Sequence, residues 1–241
     1  MNIALILSGG SGVRVGSSIP KQYIEVSGRP IITYCIKTLS AHELVDVIWI
    51  VAEKEWQDKI LAWLKMFGLE SKVKGFSLPG ENRQLSILNG LEDIASIAKE
   101  EDYVMIHDAA RPCLSPQMIT KCFEGVAGHD GVLPVLPMKD TVYLSADGKS
   151  ISSLLDRQQI FAGQAPEVFL LGKYLEANRK LLAEMQETAD GKMQAAILTI
   201  NGSTEPAVLA GMDIAMIPGE EANFKITTKE DLERFRKLIE G

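Results

Sequence analysis

The stretch that most constrains this chain is its first turn. Asn2-Ile-Ala-Leu-Ile-Leu7 is an apolar run of strand length, and it empties into Ser8-Gly-Gly-Ser-Gly-Val-Arg14 and then Gly16-Ser-Ser-Ile-Pro20-Lys21-Gln22. A buried strand that ends in a glycine-rich loop is a device for holding phosphate. Glycines let backbone N–H groups approach oxygens without a side chain in the way, and Arg14 and Lys21 add charge. The loop is therefore expected to hold a nucleoside triphosphate, with the rest of the chain selecting base, metal and acceptor.

The 241 residues suffice for one large α/β domain or two small ones. A net charge of −7 argues against a nucleic-acid binder, which needs a basic face, but leaves room for a small anionic ligand. No segment approaches the run of about 20 apolar residues that a membrane helix requires. No basic region precedes the short first apolar run, so no signal peptide is expected there. Cys35, Cys113 and Cys122 lack Cys-x-x-Cys spacing, which predicts reduced thiols and a cytoplasmic protein. His42, His107 and His129 are too scattered for a zinc site.

Strand-like and helix-like runs alternate along the chain, which predicts an α/β fold: a mostly parallel sheet with helices on both faces. Strands are expected at 46–51, 73–76, 103–107, 132–136, 214–217 and 224–226. Helices are expected at 31–39, 54–67, 84–98, 115–125 and 171–186. Ser203 is expected to cap a short helix ending at Gly211, and Thr228-Lys-Glu-Asp231 has the pattern of a capping box. Residues 188–194 read as a polar loop, while 195–200 fit strand or helix. Asp140 to Arg157 reads as a β-hairpin turning at Ala146-Asp147-Gly148. It has few core residues of its own, so 138–162 is expected to be an arm that dimerises on a second subunit.

Three glycine-loop chemistries compete for the first turn. The only Gly-Lys-Ser is Gly148-Lys149-Ser150, but Tyr143 stands where a Walker A loop has its first glycine. A dinucleotide fold needs a long helix directly after its glycines, and Pro20 arrives too soon. A nucleotidyltransferase loop, crossing with a basic residue on each side, fits. Asp108 ends a central strand, where it could ligate Mg²⁺ or cap a helix, and Arg111-Pro112 beside it suits a phosphate. Pro79-Gly-Glu-Asn-Arg83 with Ser86 sits at another strand-to-helix junction and could grip a base.

Taken in order, Leu7 to Arg14, Pro20-Lys-Gln22, Gly80-Glu-Asn-Arg83 with Ser86, and His107-Asp-Ala-Ala-Arg-Pro112 form a recognisable series. It continues through Asp140-Thr141, Asp156-Arg157, Gln164-Ala-Pro166 and Asn223-Phe-Lys-Ile-Thr227. The chain resembles, over nearly its whole length, the cytidylyltransferases that make CDP-polyols from CTP and a polyol phosphate. That family includes methylerythritol-phosphate enzymes of isoprenoid synthesis and ribitol-phosphate enzymes of teichoic acid or capsule assembly. The resemblance implies a single Rossmann-like nucleotidyltransferase domain over 1–241 that forms a homodimer through the protruding arm. It implies that Ser8, Gly9, Gly10, Ser11, Gly12 and Arg14 cradle the triphosphate, with Lys21 at the α-phosphate and Lys225 facing the reacting groups. It further implies that Gly80, Arg83, Ser86 and Ala109 bind the nucleotide, with Gly80 and Ser86 reading cytosine, and that Asp108 binds Mg²⁺. Asp140, Thr141 and Arg157 fall on the acceptor side, Arg157 from the partner subunit.

The acceptor half departs from the methylerythritol pattern. Asn201-Gly-Ser-Thr-Glu-Pro-Ala207 lacks the aspartate of a Thr-Asp-Glu-Ala segment, Ala165 replaces a threonine and Glu167 a glutamine. Methylerythritol phosphate, ribitol phosphate and other polyol or sugar phosphates all stay open as acceptors. So do another nucleoside triphosphate as donor and a nucleotide-binding module with a lost acceptor site.

Overall fold

The computed structural model describes residues 1–10, 19–187 and 202–240. The first strand, β1 (Asn2–Leu7), lies at the centre of the sheet between β4 (Val47–Val51) and β6 (Tyr103–Asp108), parallel to both. β5 (Val73–Ser77) continues the parallel array beyond β4. Between β1 and β4 lie the short ribbon β2 (Glu25–Val26) with β3 (Arg29–Pro30), and helix α1 (Ile31–Ala41). Helices α2 (Lys54–Phe67) and α3 (Arg83–Ala95) follow β4 and β5, and α4 (Pro116–Gly125) follows β6.

Alternation along the strands sends side chains to two separate cores. Ala4, Ile6, Ile48, Ile50 and Met105 pack with α1, α2 and α4 on one face. Ile3, Leu5, Val51, Val104 and Ile106 pack on the other with α3 and with α5 (Leu171–Glu187). Strands covered on both faces need apolar residues at every position, which is why β1 and β4 read as unbroken apolar runs.

Local chemistry sets several boundaries. Gly68 takes φ +64° to end α2, as expected for a glycine past a helix C-terminus. Ser115 caps α4 by accepting from Met118 N, with Pro116 at the first helical position. The capping box at the last helix, α7 (Lys229–Glu240), forms in both directions: Asp231 accepts from Thr227 N and Thr228 N, and Asp231 N donates to Thr228 Oγ1.

The second half differs from the sequence expectation in four places. After β7 (Gly131–Pro137), the hairpin strands β8 (Val142–Leu144) and β9 (Ser153–Leu155), and β10 (Phe161–Gly163), the chain re-enters the sheet as β11 (Glu167–Leu170). The end of the expected 138–162 arm joins the main sheet, as β10 antiparallel to β7. β11 is an unforeseen strand too, antiparallel to both β6 and β7. Its four residues are too few to show a period, and a carboxylate opens it. The short helix α6 (Glu205–Leu209) forms, but Ser203 does not cap it. Thr204 holds the cap position without a side-chain bond, and Ser203 is buried elsewhere. Phe224–Ile226 is not a strand: Ile226 N donates to Ala110 O, and the segment runs irregularly past β6. β12 (Ile214–Pro218) does form, parallel to β7. The expected loop at 188–194 and the ambiguous 195–200 lie outside the described residues.

The hairpin turn confirms that Gly148-Lys149-Ser150 is no phosphate loop. Asp147 Oδ1 accepts from Lys149 N and Ser150 N, and Gly148 takes φ +68° on an exposed loop. Among the described residues no helix is long and apolar enough to cross a membrane.

Candidate active site

The carboxyl ends of β1, β4, β5 and β6 share one edge of the sheet, the position at which open α/β sheets bind ligands. Register makes Leu7 the neighbour of Asp108, so the glycine loop leaves the sheet beside that carboxylate. A cleft of about 670 Å³ opens there, lined among others by Gly9, Gly10, Lys21, Gly80, Arg83, Ser86, Asp108 and Lys225.

Close approach explains two of the glycines. A Cβ on Gly9 would stand 2.5 Å from Pro79 Cβ, and one on Gly80 would stand 2.3 Å from Leu85 Cβ. The loops after β1 and β5 therefore meet closely because Gly9 lacks a side chain, and the turn into α3 folds back on Leu85 because Gly80 lacks one. Asn82 opens α3 as its N-cap, accepting from Leu85 N at 2.9 Å. Ser86 holds the turn before it: Gly80 N donates to Ser86 Oγ at 3.0 Å, and Ser86 Oγ donates to Asn82 O at 2.8 Å.

Asp108 is the electrostatic centre. Arg83 Nη1 lies 2.5 Å from Oδ1, and on Oδ2 Lys225 Nζ lies at 3.0 Å and Arg111 Nε at 3.5 Å. Burial alone would raise the pKa of this carboxyl. Arg83, then Lys225 and Arg111, hold it far below the usual carboxylate range instead. The two guanidiniums respond in opposite directions. Burial lowers the pKa of Arg111, while for Arg83 burial is outweighed by Asp108 and Glu167 acting together, which raise it. Both remain charged at any working pH. Three cations thus converge on one anion, and Lys21 lines the same cleft together with the carboxylates Glu53 and Glu81. The three cations grouped on Asp108 outnumber its single charge, which suits an anionic group at that point of the cleft.

Beneath this layer lies a second buried polar group. Glu167, at the start of β11, is fully enclosed, and burial pushes its carboxyl up to about 7 despite a hydrogen bond from Ser203 and the charge of Arg83. Arg83 Nη2 donates to Ser203 Oγ at 3.1 Å, and Tyr174 Oη donates to Ser203 O at 2.7 Å. Gln84 and Asn178 hydrogen-bond alongside. Two of the departures noted in the sequence, Glu167 and the 201–207 segment, therefore meet at Arg83. His107 is buried too, its Nε2 against Arg111 O, and desolvation pushes its pKa down to about 4.

The remaining expected residues fall in three groups. Ser8 is buried at the loop's root, where its N donates to Val51 O. Ala109 is buried as well, its N donating to Leu7 O, and Ala110 rather than Ala109 lines the cleft. Ser11, Gly12 and Arg14 lie outside the described residues. Asp140, Thr141 and Arg157 stand exposed at the base of the hairpin and do not line the cleft, with Arg157 Nη1 donating to Lys139 O. Sequence reasoning missed Gln22, Glu53 and Glu81 as lining residues and Glu167 as a buried group. The only signal for Gln22 was its place next to Lys21.

The sequence model of the family described as "IspD: 2-C-methyl-D-erythritol 4-phosphate cytidylyltransferase" matches residues 2–240. The chain belongs to this family. A "2-C-methyl-D-erythritol 4-phosphate cytidylyltransferase" of Rubrobacter xylanophilus is 35% identical over 236 residues, covering 95% of this chain and 91% of that protein. A "ribitol-5-phosphate cytidylyltransferase" of Streptococcus agalactiae serotype V is 30% identical over 245 residues, covering 100% and 96%. Among solved structures, the 4-diphosphocytidyl-2C-methyl-D-erythritol synthase of Anaerococcus prevotii superposes with a TM-score of 0.80 at 23% identity, covering 100% of this chain and 96% of that one. The Francisella tularensis 2-C-methyl-D-erythritol 4-phosphate cytidylyltransferase gives 0.78 at 22%, covering 98% of each. These two likenesses establish the Rossmann-like nucleotidyltransferase fold.

Proposed function

We propose that this protein transfers CMP from CTP to a polyol phosphate, ribitol 5-phosphate or 2-C-methyl-D-erythritol 4-phosphate, with release of pyrophosphate. The observation that carries the reading is the set of cations around Asp108 at the carboxyl edge of the sheet, in a chain of the cytidylyltransferase family. The polyol phosphate's oxygen attacks the α-phosphorus of CTP in line. An O–P bond forms, the bond from the α-phosphorus to the bridging oxygen breaks, and pyrophosphate leaves with the electron pair. A phosphate oxygen is already nucleophilic at neutral pH, so the protein's work is positioning and charge stabilisation. The Ser8–Gly12 loop and Arg14 hold the triphosphate, while Lys21 and Lys225 face the α-phosphate, where charge grows. Gly80, Arg83 and Ser86 form the base side of the site.

Asp108 is the metal candidate among the described residues. A single ionised carboxylate is a usual protein share of a Mg²⁺ site, the remaining ligands being phosphate oxygens and water. Held there, the ion would neutralise charge on the phosphates as pyrophosphate departs. Asp140, Thr141 and Arg157 are assigned to the acceptor. Tyr143, Leu144, Ile151, Leu154 and Phe161 are all exposed on or beside the hairpin, which supports a homodimer in which the arm covers them.

A pyrophosphate-release assay over CTP, UTP, ATP and GTP, crossed with both polyol phosphates and other sugar phosphates, tests the reading. Release with CTP and one polyol phosphate is expected. Release only with another triphosphate would move the donor, and release with no pair would leave a nucleotide-binding module.

A further inference from the structure

Lys21 stands on a 3₁₀ turn (Lys21–Tyr23) that closes back on the glycine loop, and the next two side chains of that turn lie buried under the loop's root. Gln22 is 3% exposed and Tyr23 2%. The Gln22 amide donates both of its hydrogens to backbone carbonyls, to Ser8 O at 2.7 Å and to Gly10 O at 2.9 Å. The Tyr23 hydroxyl donates to Ser8 O at 3.1 Å and accepts from Ser8 Oγ at 2.8 Å. The Tyr23 ring is itself clamped, stacked on Trp56 at 4.2 Å between centroids with Trp63 at 5.9 Å.

A glycine loop has little conformational preference of its own, so something outside it must choose which way its peptides face. A carbonyl oxygen turned toward a phosphate repels it, and an N–H attracts it. In a trans peptide the two point in opposite directions, so drawing Ser8 O onto Gln22 turns the Gly9 N–H away from Gln22. The same amide ties the loop's root to the turn that carries Lys21.

We propose that Gln22 is the positioning residue of the nucleotide site, orienting the Ser8–Gly10 peptides for phosphate and setting Lys21 against them, with Tyr23 as its anchor. The inference rests on the reading of the cleft as a triphosphate site. Neither side chain needs to touch the reacting atoms.

The test compares the full-length wild type with Gln22→Met, which keeps the volume and removes both donors, and Tyr23→Phe, which keeps the stacked ring and removes the hydroxyl. CTP binding is measured by calorimetry, and kcat and both KM values by pyrophosphate release. Losing two buried hydrogen bonds predicts a rise of about tenfold or more in the Kd and KM for CTP in Gln22→Met. A rise of about threefold is expected in Tyr23→Phe, with the acceptor KM unchanged in both. CTP constants within twofold of wild type in both variants would overturn the proposal. So would an equal rise in the CTP and acceptor KM values with a lowered Tm, the mark of a merely structural residue. If Gln22→Met does not fold, Tyr23→Phe decides by the same criterion. Failure of the wild type to bind any triphosphate would overturn the nucleotide reading, and this inference with it.

Discussion

The cleft around Asp108 and the hairpin arm handle polarity in opposite ways. At the cleft, Asp108, Glu167, Gln22 and Ser203 are buried polar groups, each held by partners from other elements of the fold. On the arm, Tyr143, Leu144, Ile151 and Leu154 are large and more than half exposed, on or between two strands of three residues that pair with each other. Burying charge costs several kcal/mol per ion unless it is paired, and exposing a cluster of large apolar side chains forfeits about 2 kcal/mol for each. Each region is thus unfavourable taken alone. The first is compensated within the subunit by its ion network. The second has no such compensation within the subunit.

The comparison is broken most strongly at Asp108. Asp108→Ala would leave Arg83, Arg111 and Lys225 facing one another without their common anion. A loss of about 3–5 kcal/mol in unfolding free energy is expected by urea denaturation. A loss under about 1 kcal/mol would mean that solvent already screens the cluster.

A second effect, on the order of 3 kcal/mol, concerns pH. His107 has its pKa lowered from 6.5 to about 4 in the folded state, so its contribution is complete above pH 6.5 and is lost as pH falls toward 4. Glu167 has its pKa raised from 4.5 to about 7, so its contribution is complete below pH 4.5 and is lost as pH rises through 7. The two slopes oppose each other between pH 4.5 and 6.5, and the wild type should show a shallow dependence there. Glu167→Gln removes one of them. Its stability should fall steeply from pH 6.5 to 4, and an unchanged curve would show that Glu167 does not titrate in that range.

Lys21→Ala should fold normally and retain nucleotide, yet lose turnover by about 10²-fold or more, read by pyrophosphate release. Near-wild-type turnover would remove Lys21 from the reaction. The smallest effect on the fold is expected on the arm. Ile151→Asp with Leu154→Asp should change subunit stability by no more than about 0.5 kcal/mol. In sedimentation velocity the same pair should convert a dimer to a monomer, and a wild type that already sediments as a monomer would end the dimer reading.

How much of this was legible in advance follows from the range of the interactions involved. The strands β1, β4 and β6, the caps at Ser115 and Thr228, and the glycine stop at Gly68 are settled within a few residues of themselves, and each was readable as pattern. The exposed arm was readable too, from its lack of core residues. The strand β11 was not, because its partners are β6 and β7 rather than anything nearby in the chain. Ser203 looked like a helix cap because the hydroxyl's competing partner, Arg83, is 120 residues away.

The sequence by itself determined the α/β alternation, the glycine-rich turn after β1 and the identity of the cations, since these rest on local periodicity, glycine content and residue type. Only the tertiary structure decided what those groups answer to. It put Arg83, Arg111 and Lys225 on one carboxylate, Glu167 beneath them, and Gln22 under the glycine loop. The physical reason is that a buried polar group is defined by its partners, and folding drew those partners from strands and helices far apart in the chain.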